Sequence, residues 1–200
     1  NLTKPSTGCL HDYQLTPQEM ITLENADIFV VNGAGMEPFL DEVTENYPDL
    51  NIIDAGTGIE LISEGAHEHD EDEEHSDHDH EGENHQDDEH NNDDHDHEEG
   101  NAHVWVSISN YITYVQTIAD GFADYDSEHA GLYQNNAASY VETLTALKEK
   151  MHEQLQTVER KDIITFHEAF PYFAEEFGLH VAAVIEREPG TESTPEEITH

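Results

Sequence analysis

Between residues 64 and 100 the chain is almost entirely Asp, Glu and His, the side chains that bind divalent metal ions. Nine of its sixteen histidines lie in this tract. Six form H-x-H pairs (His67/His69, His78/His80, His95/His97), and His75, His85 and His90 stand singly. Neutral imidazole is the commonest side-chain ligand for zinc and its first-row neighbours. The interleaved carboxylates attract cations and can complete a coordination shell. They also favour imidazolium, so the tract should hold metal better as pH rises and protons leave. The bland alternative is a solvated acidic linker, but dense H-x-H repetition is unusual for one.

Outside the tract, three histidines stand out by position. His11 precedes a capped helix, His103 begins the segment where ordinary sequence resumes, and His167 lies where a strand gives way to a helix. Ends of strands in open parallel sheets are common places for ligand groups. Three imidazoles at about 2.0–2.1 Å would leave one tetrahedral position for a carboxylate or water. Taken singly, each is more often a surface or internally satisfied histidine, but three at loop or strand-end positions in a chain with a metal-attracting tract shift the balance. His129 and His152, on a long helix, read as solvent-facing, and His180 starts a strand.

The elements that must position these residues form an α/β pattern. Thr16-Pro17-Gln18-Glu19 is a capping box with Pro at the first helical position, predicting a helix to about Asn25. Residues 26–32 and 51–55 read as buried strands, with a helix over 37–45 whose apolar face is Phe39, Leu40 and Val43. Strand, helix, strand implies a parallel sheet. Residues 111–122 are helical in pattern. Ser127 is the expected cap of a long helix over about 128–158, with Leu132, Ala138, Val141, Leu144 and Leu155 on its apolar side. Thirty residues at ~1.5 Å each span about 45 Å, more than one compact lobe needs. A second unit comes after it: a strand over 162–166, a helix from His167 to Phe177 stopped by Gly178, and a strand over 180–186.

The expected architecture is two α/β lobes with parallel sheets, bridged by one long helix and interrupted by a disordered His- and acid-rich insertion. Residues 1–127 form the first lobe, including the insertion at 64–100, 128–158 the linking helix and 159–200 the start of the second lobe. Like-charge density and low hydropathy prevent the insertion from repaying the entropy of ordering. Thr194-Pro195-Glu196-Glu197 announces a further helix, so the sequence is expected to be a piece of a longer protein, incomplete at both ends.

Composition narrows the function further. The formal net charge is −41. Nineteen of the 47 acidic residues fall within residues 64–99, leaving 28 acids against 6 bases. Such a surface disfavours nucleic acid and anionic membranes, whose phosphates need Lys and Arg. No apolar run approaches the roughly 18–20 residues of a membrane helix. Cys9 is the one cysteine, which excludes an internal disulfide and a four-thiolate zinc site. Ser6-Thr7-Gly8-Cys9 has the outline of a lipoprotein cleavage box, but no hydrophobic segment precedes it.

The segments around the three histidines resemble those of the zinc-binding solute receptors of ABC importers. Gly8-Cys9-Leu10-His11-Asp12-Tyr13-Gln14-Leu15-Thr16-Pro17 is similar to the first ligand motif of that family. Ala26-Asp27-Ile28-Phe29-Val30-Val31-Asn32-Gly33-Ala34-Gly35-Met36-Glu37 is similar to the family's next segment. Asn101-Ala102-His103-Val104-Trp105 and Phe166-His167-Glu168-Ala169-Phe170-Pro171-Tyr172-Phe173 are similar to the second and third ligand motifs. An acidic His-rich insertion before the second ligand is itself a mark of the zinc branch. The resemblance implies Zn2+ in an inter-lobe cleft, with His11 and His103 from the first lobe and His167 from the second. The manganese branch carries a carboxylate where His167 stands, and a third imidazole favours zinc. Two departures bear on the fourth ligand. Cys9-Leu10 replaces the acidic residue and Pro that often precede the first ligand, and the second-lobe acid of the family would lie beyond His200.

The resemblance thus implies a monomeric extracytoplasmic receptor, in the periplasm or as a cell-surface lipoprotein, handing Zn2+ to an ABC permease. The alternatives are a manganese receptor of the same family and a His-rich metal buffer or surface adhesion protein. A zinc hydrolase with Glu168 as general base is the rival from another class. It lacks H-E-x-x-H, because Ala169, Phe170 and Pro171 come directly after Glu168.

Overall fold

The structure, a computed structural model, describes Leu2 and residues 13–63 and 100–185. The expected disordered insertion and the start announced at Thr194 lie outside the described residues. Helix α1 spans Pro17–Glu24. Its capping box forms as expected: the Thr16 hydroxyl accepts from the Glu19 amide, and the Glu19 carboxylate accepts from the Thr16 amide at 2.8 Å. Strands β1 (Ile28–Val31) and β2 (Asn51–Asp54) pair in parallel, Ile28 opposite Asn51 and Val31 opposite Asp54. Helix α2, Leu40–Asn46, crosses between them and buries Val43 completely beside Leu23 and Phe39. It starts three residues after the expected position. Residues 37–40 are a turn closed by the Leu40 amide on the Glu37 carbonyl, and the Glu37 side chain reaches back to the turn just after β1.

Helix α3, Ile108–Tyr125, extends beyond the expected 111–122 at both ends, with Ser107 accepting from the Asn110 amide at its N-terminus. Helix α4 runs Ala130–Gln156 and packs along α3. Ser127 is not its cap. The Asp126 carboxylate takes the His129 Nδ1 (2.8 Å) and the Tyr133 hydroxyl (2.9 Å), which holds residues 126–129 in a turn ahead of the helix. Val141, Leu144 and Leu155 lie on the covered side of α4 as expected, but Leu132 and Ala138 do not. Leu132 is 56% exposed and Ala138 is exposed, whereas Tyr133, Ala137, Val141, Leu144, Lys148 and Met151 share the covered face. Their spacing of three and four matches a helical stripe, but so do several others along this weakly apolar helix. Packing against α3 selects among them.

The second unit is β3 (Asp162–Thr165), α5 (Pro171–Phe177) and β4 (His180–Val184), with the strands again parallel. The helix expected from His167 begins instead at Pro171, and residues 167–170 form an irregular connection. Proline favours the first helical position, where its missing N–H costs nothing. Gly178 ends α5 in the left-handed region (φ 61°), and the Leu179 amide returns to the Ala174 carbonyl at 2.8 Å.

Two small parallel sheets, joined through α3 and α4, thus form a helix-rich α/β fold of two lobes. Helix α4 touches both. The His152 ring lies 4.7 Å from that of Phe177 on α5, so this residue packs against the second unit and is not simply solvent-facing. Tyr172 of α5 is 4% exposed and packs with Ala55, Val104 and Tyr114. Its hydroxyl donates to the Asn101 carbonyl (2.6 Å) and accepts from the Ile62 amide (3.1 Å). The Glu176 carboxylate accepts from the Ile108 and Ser109 amides at 2.7 and 3.1 Å and from the Ser109 hydroxyl. A carboxylate from one unit thus satisfies the free amides that begin a helix of the other.

Candidate metal centre

His103 lies immediately before a one-turn 3₁₀ helix, Val104–Val106, and is 7% exposed. Three neighbours hold its loop. The Asn101 amide donates to the Ile62 carbonyl at 2.8 Å, directly beside the bridge that pairs Ser63 with Gly100. Just after β1, Asn32 Nδ2 donates to the Ala102 carbonyl at 3.2 Å. From the second unit, the Tyr172 hydroxyl reaches the Asn101 carbonyl.

Asn32 is itself fixed. The Glu37 carboxylate accepts from the Asn32 and Gly33 amides at 2.7 and 3.1 Å, and the Tyr114 hydroxyl donates to the Asn32 carbonyl at 2.8 Å. Gly33 has φ 76°, and a Cβ there would lie 1.8 Å from Asp54 Oδ1, so a side chain at this position would be strained and would displace the Asp54 carboxylate. Burial raises the Glu37 carboxyl pKa above its usual value, against the two backbone hydrogen bonds that pull it down. Burial, then the charges of Asp54 and Glu37, push the Tyr114 hydroxyl far upward and keep it a donor.

His167 stands in the irregular connection after β3, half-buried. Its Nε2 is 3.1 Å from the Nε2 of His103, with ring centroids 4.8 Å apart and planes at 86°. The expected ligands from the two units therefore meet through their outer nitrogens. An ion about 2.0–2.1 Å from both would see them at roughly 98°, close to a tetrahedral angle. The other ring nitrogen of His103, Nδ1, is 3.1 Å from Asn101 Oδ1, and the Trp105 ring lies 5.2 Å from the imidazole.

His11, Cys9 and the tract residues His67, His69, His75, His78, His80, His85, His90, His95 and His97 lie outside the described residues. Among the described residues no three His, Cys, Asp or Glu side chains gather to hold an ion, and His103 and His167 are the pair that meets. His129 and His180 are elsewhere, on half-buried Asp126 and exposed Asp162. Glu168 contributes its main-chain carbonyl, which accepts from Asn101 Nδ2 at 2.7 Å. Sequence reasoning passed over Asn101, Asn32, Glu37 and Glu176. Only Asn101 carried a local signal, since a short amide two residues before an amide N–H is placed to turn back on it.

A family model described as the periplasmic zinc-uptake complex component A, ZnuA, matches residues 1–200. The chain belongs to the ZnuA family. It is 26% identical over 194 residues to the manganese-binding lipoprotein MntA of Halalkalibacterium halodurans, covering 94% of this chain and 54% of that protein. It is 30% identical over 184 residues to the zinc-binding lipoprotein AdcA of Streptococcus pneumoniae, covering 91% of this chain and 33% of AdcA. Among solved structures, a Zn(II)-bound variant of AdcAII from Streptococcus pneumoniae superposes with a TM-score of 0.75 at 23% identity, over 98% of this chain and 64% of that one. That likeness gives the ZnuA-family fold. The chain spans about half the length of MntA and a third of AdcA.

Proposed function

We propose that this chain is the ion-capturing part of an extracytoplasmic receptor that binds Zn2+ through His11, His103 and His167 and delivers it to an ABC permease. The observation that carries the reading is the meeting of two imidazoles, one from each unit, at a separation one ion can bridge. Residues 1–127 supply His11 and His103 as the first lobe. Residues 128–158 act as the linking helix, and 159–200 begin the second lobe, which brings His167. Ligands divided between lobes suit transport, because separating the lobes releases the ion without chemistry on it. Membership of the ZnuA family supports a receptor rather than an enzyme.

Three imidazoles favour zinc over manganese, which prefers oxygen donors. Manganese remains the second reading, because MntA is a manganese-binding relative. Titration of the intact metal-free protein with zinc, and with manganese in competition, separates the two. One tight zinc site that excess manganese fails to displace is the expected result. A tight site that survives replacement of all three histidines would overturn the assignment.

A further inference from the structure

The Asn101 side chain is 2% exposed and touches both ligand segments. Its Oδ1 accepts from the His103 amide at 3.0 Å and faces His103 Nδ1 at 3.1 Å. Its Nδ2 donates to the Glu168 carbonyl at 2.7 Å, one residue from His167. The amide has one orientation that satisfies these neighbours. Reversed, its NH2 would meet the His103 N–H, and its oxygen would meet the Glu168 carbonyl. Because the Glu168 carbonyl can only accept, it fixes NH2 on its own side and oxygen on the side of His103.

We propose that Asn101 is a positioning residue that sets the tautomer of His103 and ties that choice to the docking of the His167 segment. With Oδ1 as acceptor, His103 carries its hydrogen on Nδ1 and presents the Nε2 lone pair towards His167. An unanchored imidazole divides between two tautomers, one of which turns an N–H towards the ion. A hydrogen bond to the outer nitrogen also makes the ligating one more basic. The buried carboxamide therefore readies His103 for metal in an orientation that the His103 amide favours and the second segment's carbonyl reinforces. This deepens the receptor reading and rests on it.

The test uses the intact protein, with zinc alone as the probe. In the metal-free wild type, 15N NMR of the imidazoles should show His103 as the Nδ1–H tautomer. Finding Nε2–H instead would overturn the proposal whatever any variant does. Asn101→Leu should mix the tautomers and weaken zinc about 10–100-fold, the usual loss on removing a ligand's hydrogen-bond partner. Asn101→Asp keeps an acceptor for Nδ1 and should restore the tautomer, but its second oxygen opposes the Glu168 carbonyl, so zinc affinity should recover only in part. An Asn101→Leu affinity within about threefold of wild type, well short of that loss, would refute it. So would an Asn101→Asp protein in which His103 is not the Nδ1–H tautomer. Should Asn101→Leu not fold, the wild-type spectrum and Asn101→Asp still decide. His103→Ala and His167→Ala distinguish the two levels: tight zinc binding in both sinks the metal site itself. Its loss in both, with Asn101→Leu unaffected, sinks only the role of Asn101.

Discussion

His103 and His167 stand 64 positions apart in the chain, yet their Nε2 atoms lie 3.1 Å from each other. Each comes from an irregular segment beside a parallel strand pair, and each is carried by a different unit. Two imidazole nitrogens at this distance can share one hydrogen or one metal ion. Replacing either residue by Ala should weaken zinc by more than about 100-fold, beyond the upper end of the loss on removing a ligand's hydrogen-bond partner. Isothermal titration of the two single variants measures this, and the double variant should lose little more than either.

Glu176 joins the units at some distance from that pair. Its carboxylate occupies the first-turn amides of α3, and Lys148 Nζ donates to the same Ser109 hydroxyl at 3.1 Å. Glu176→Ala should cost about 0.5–2 kcal/mol, as loss of a helix cap does, and loosen the register of α5 on α3. Urea unfolding gives the first quantity. Zinc affinity gives the second, expected to fall because His167 is held by the unit that Glu176 docks.

The Glu37 carboxylate should have a pH signature. Burial raises its pKa in the folded protein, so its ionisation opposes folding. The stability it contributes is fully present below the unfolded value near 4.5 and is lost as pH rises through the raised folded value. Glu37→Ala should remove that dependence. It should also destabilise by about 1–3 kcal/mol, because the Asn32 and Gly33 amides lose their acceptor. Denaturant melts of both proteins across mildly acidic pH check the sign.

Deletion of residues 66–99 separates the tract from the central site. Ser63 and Gly100 are already paired where the described chain leaves and returns, so a short link can close the gap without strain. The shortened protein should keep one tight zinc site and lose weaker, multiple binding. Loss of all zinc binding on titration would instead make the tract the principal site.

Much of the scaffold could be read from local signals. The Thr16 capping box, the strand–helix–strand order and the Gly178 stop each depend on residues a few positions apart, and the structure reproduces them. The errors fell where distant parts compete for the same residue. Glu37 reads as helical from its own neighbourhood, but the turn after β1 recruits its carboxylate. Hydropathy places Leu132 in the core of α4, but α3 covers another face. His152 reads as solvent-facing, but Phe177 packs against it.

The site divides the same way. The residue types suited to metal, their family motifs and the placement of His167 after a strand were all legible in the amino-acid order, because these are properties of short segments. That the two imidazoles meet through Nε2, and that one buried Asn101 amide grips both loops, emerged only from the folded chain. Those facts arise from docking α5 and its preceding loop onto the start of α3. Contacts between segments more than sixty residues apart leave no periodicity or spacing for a sequence to display.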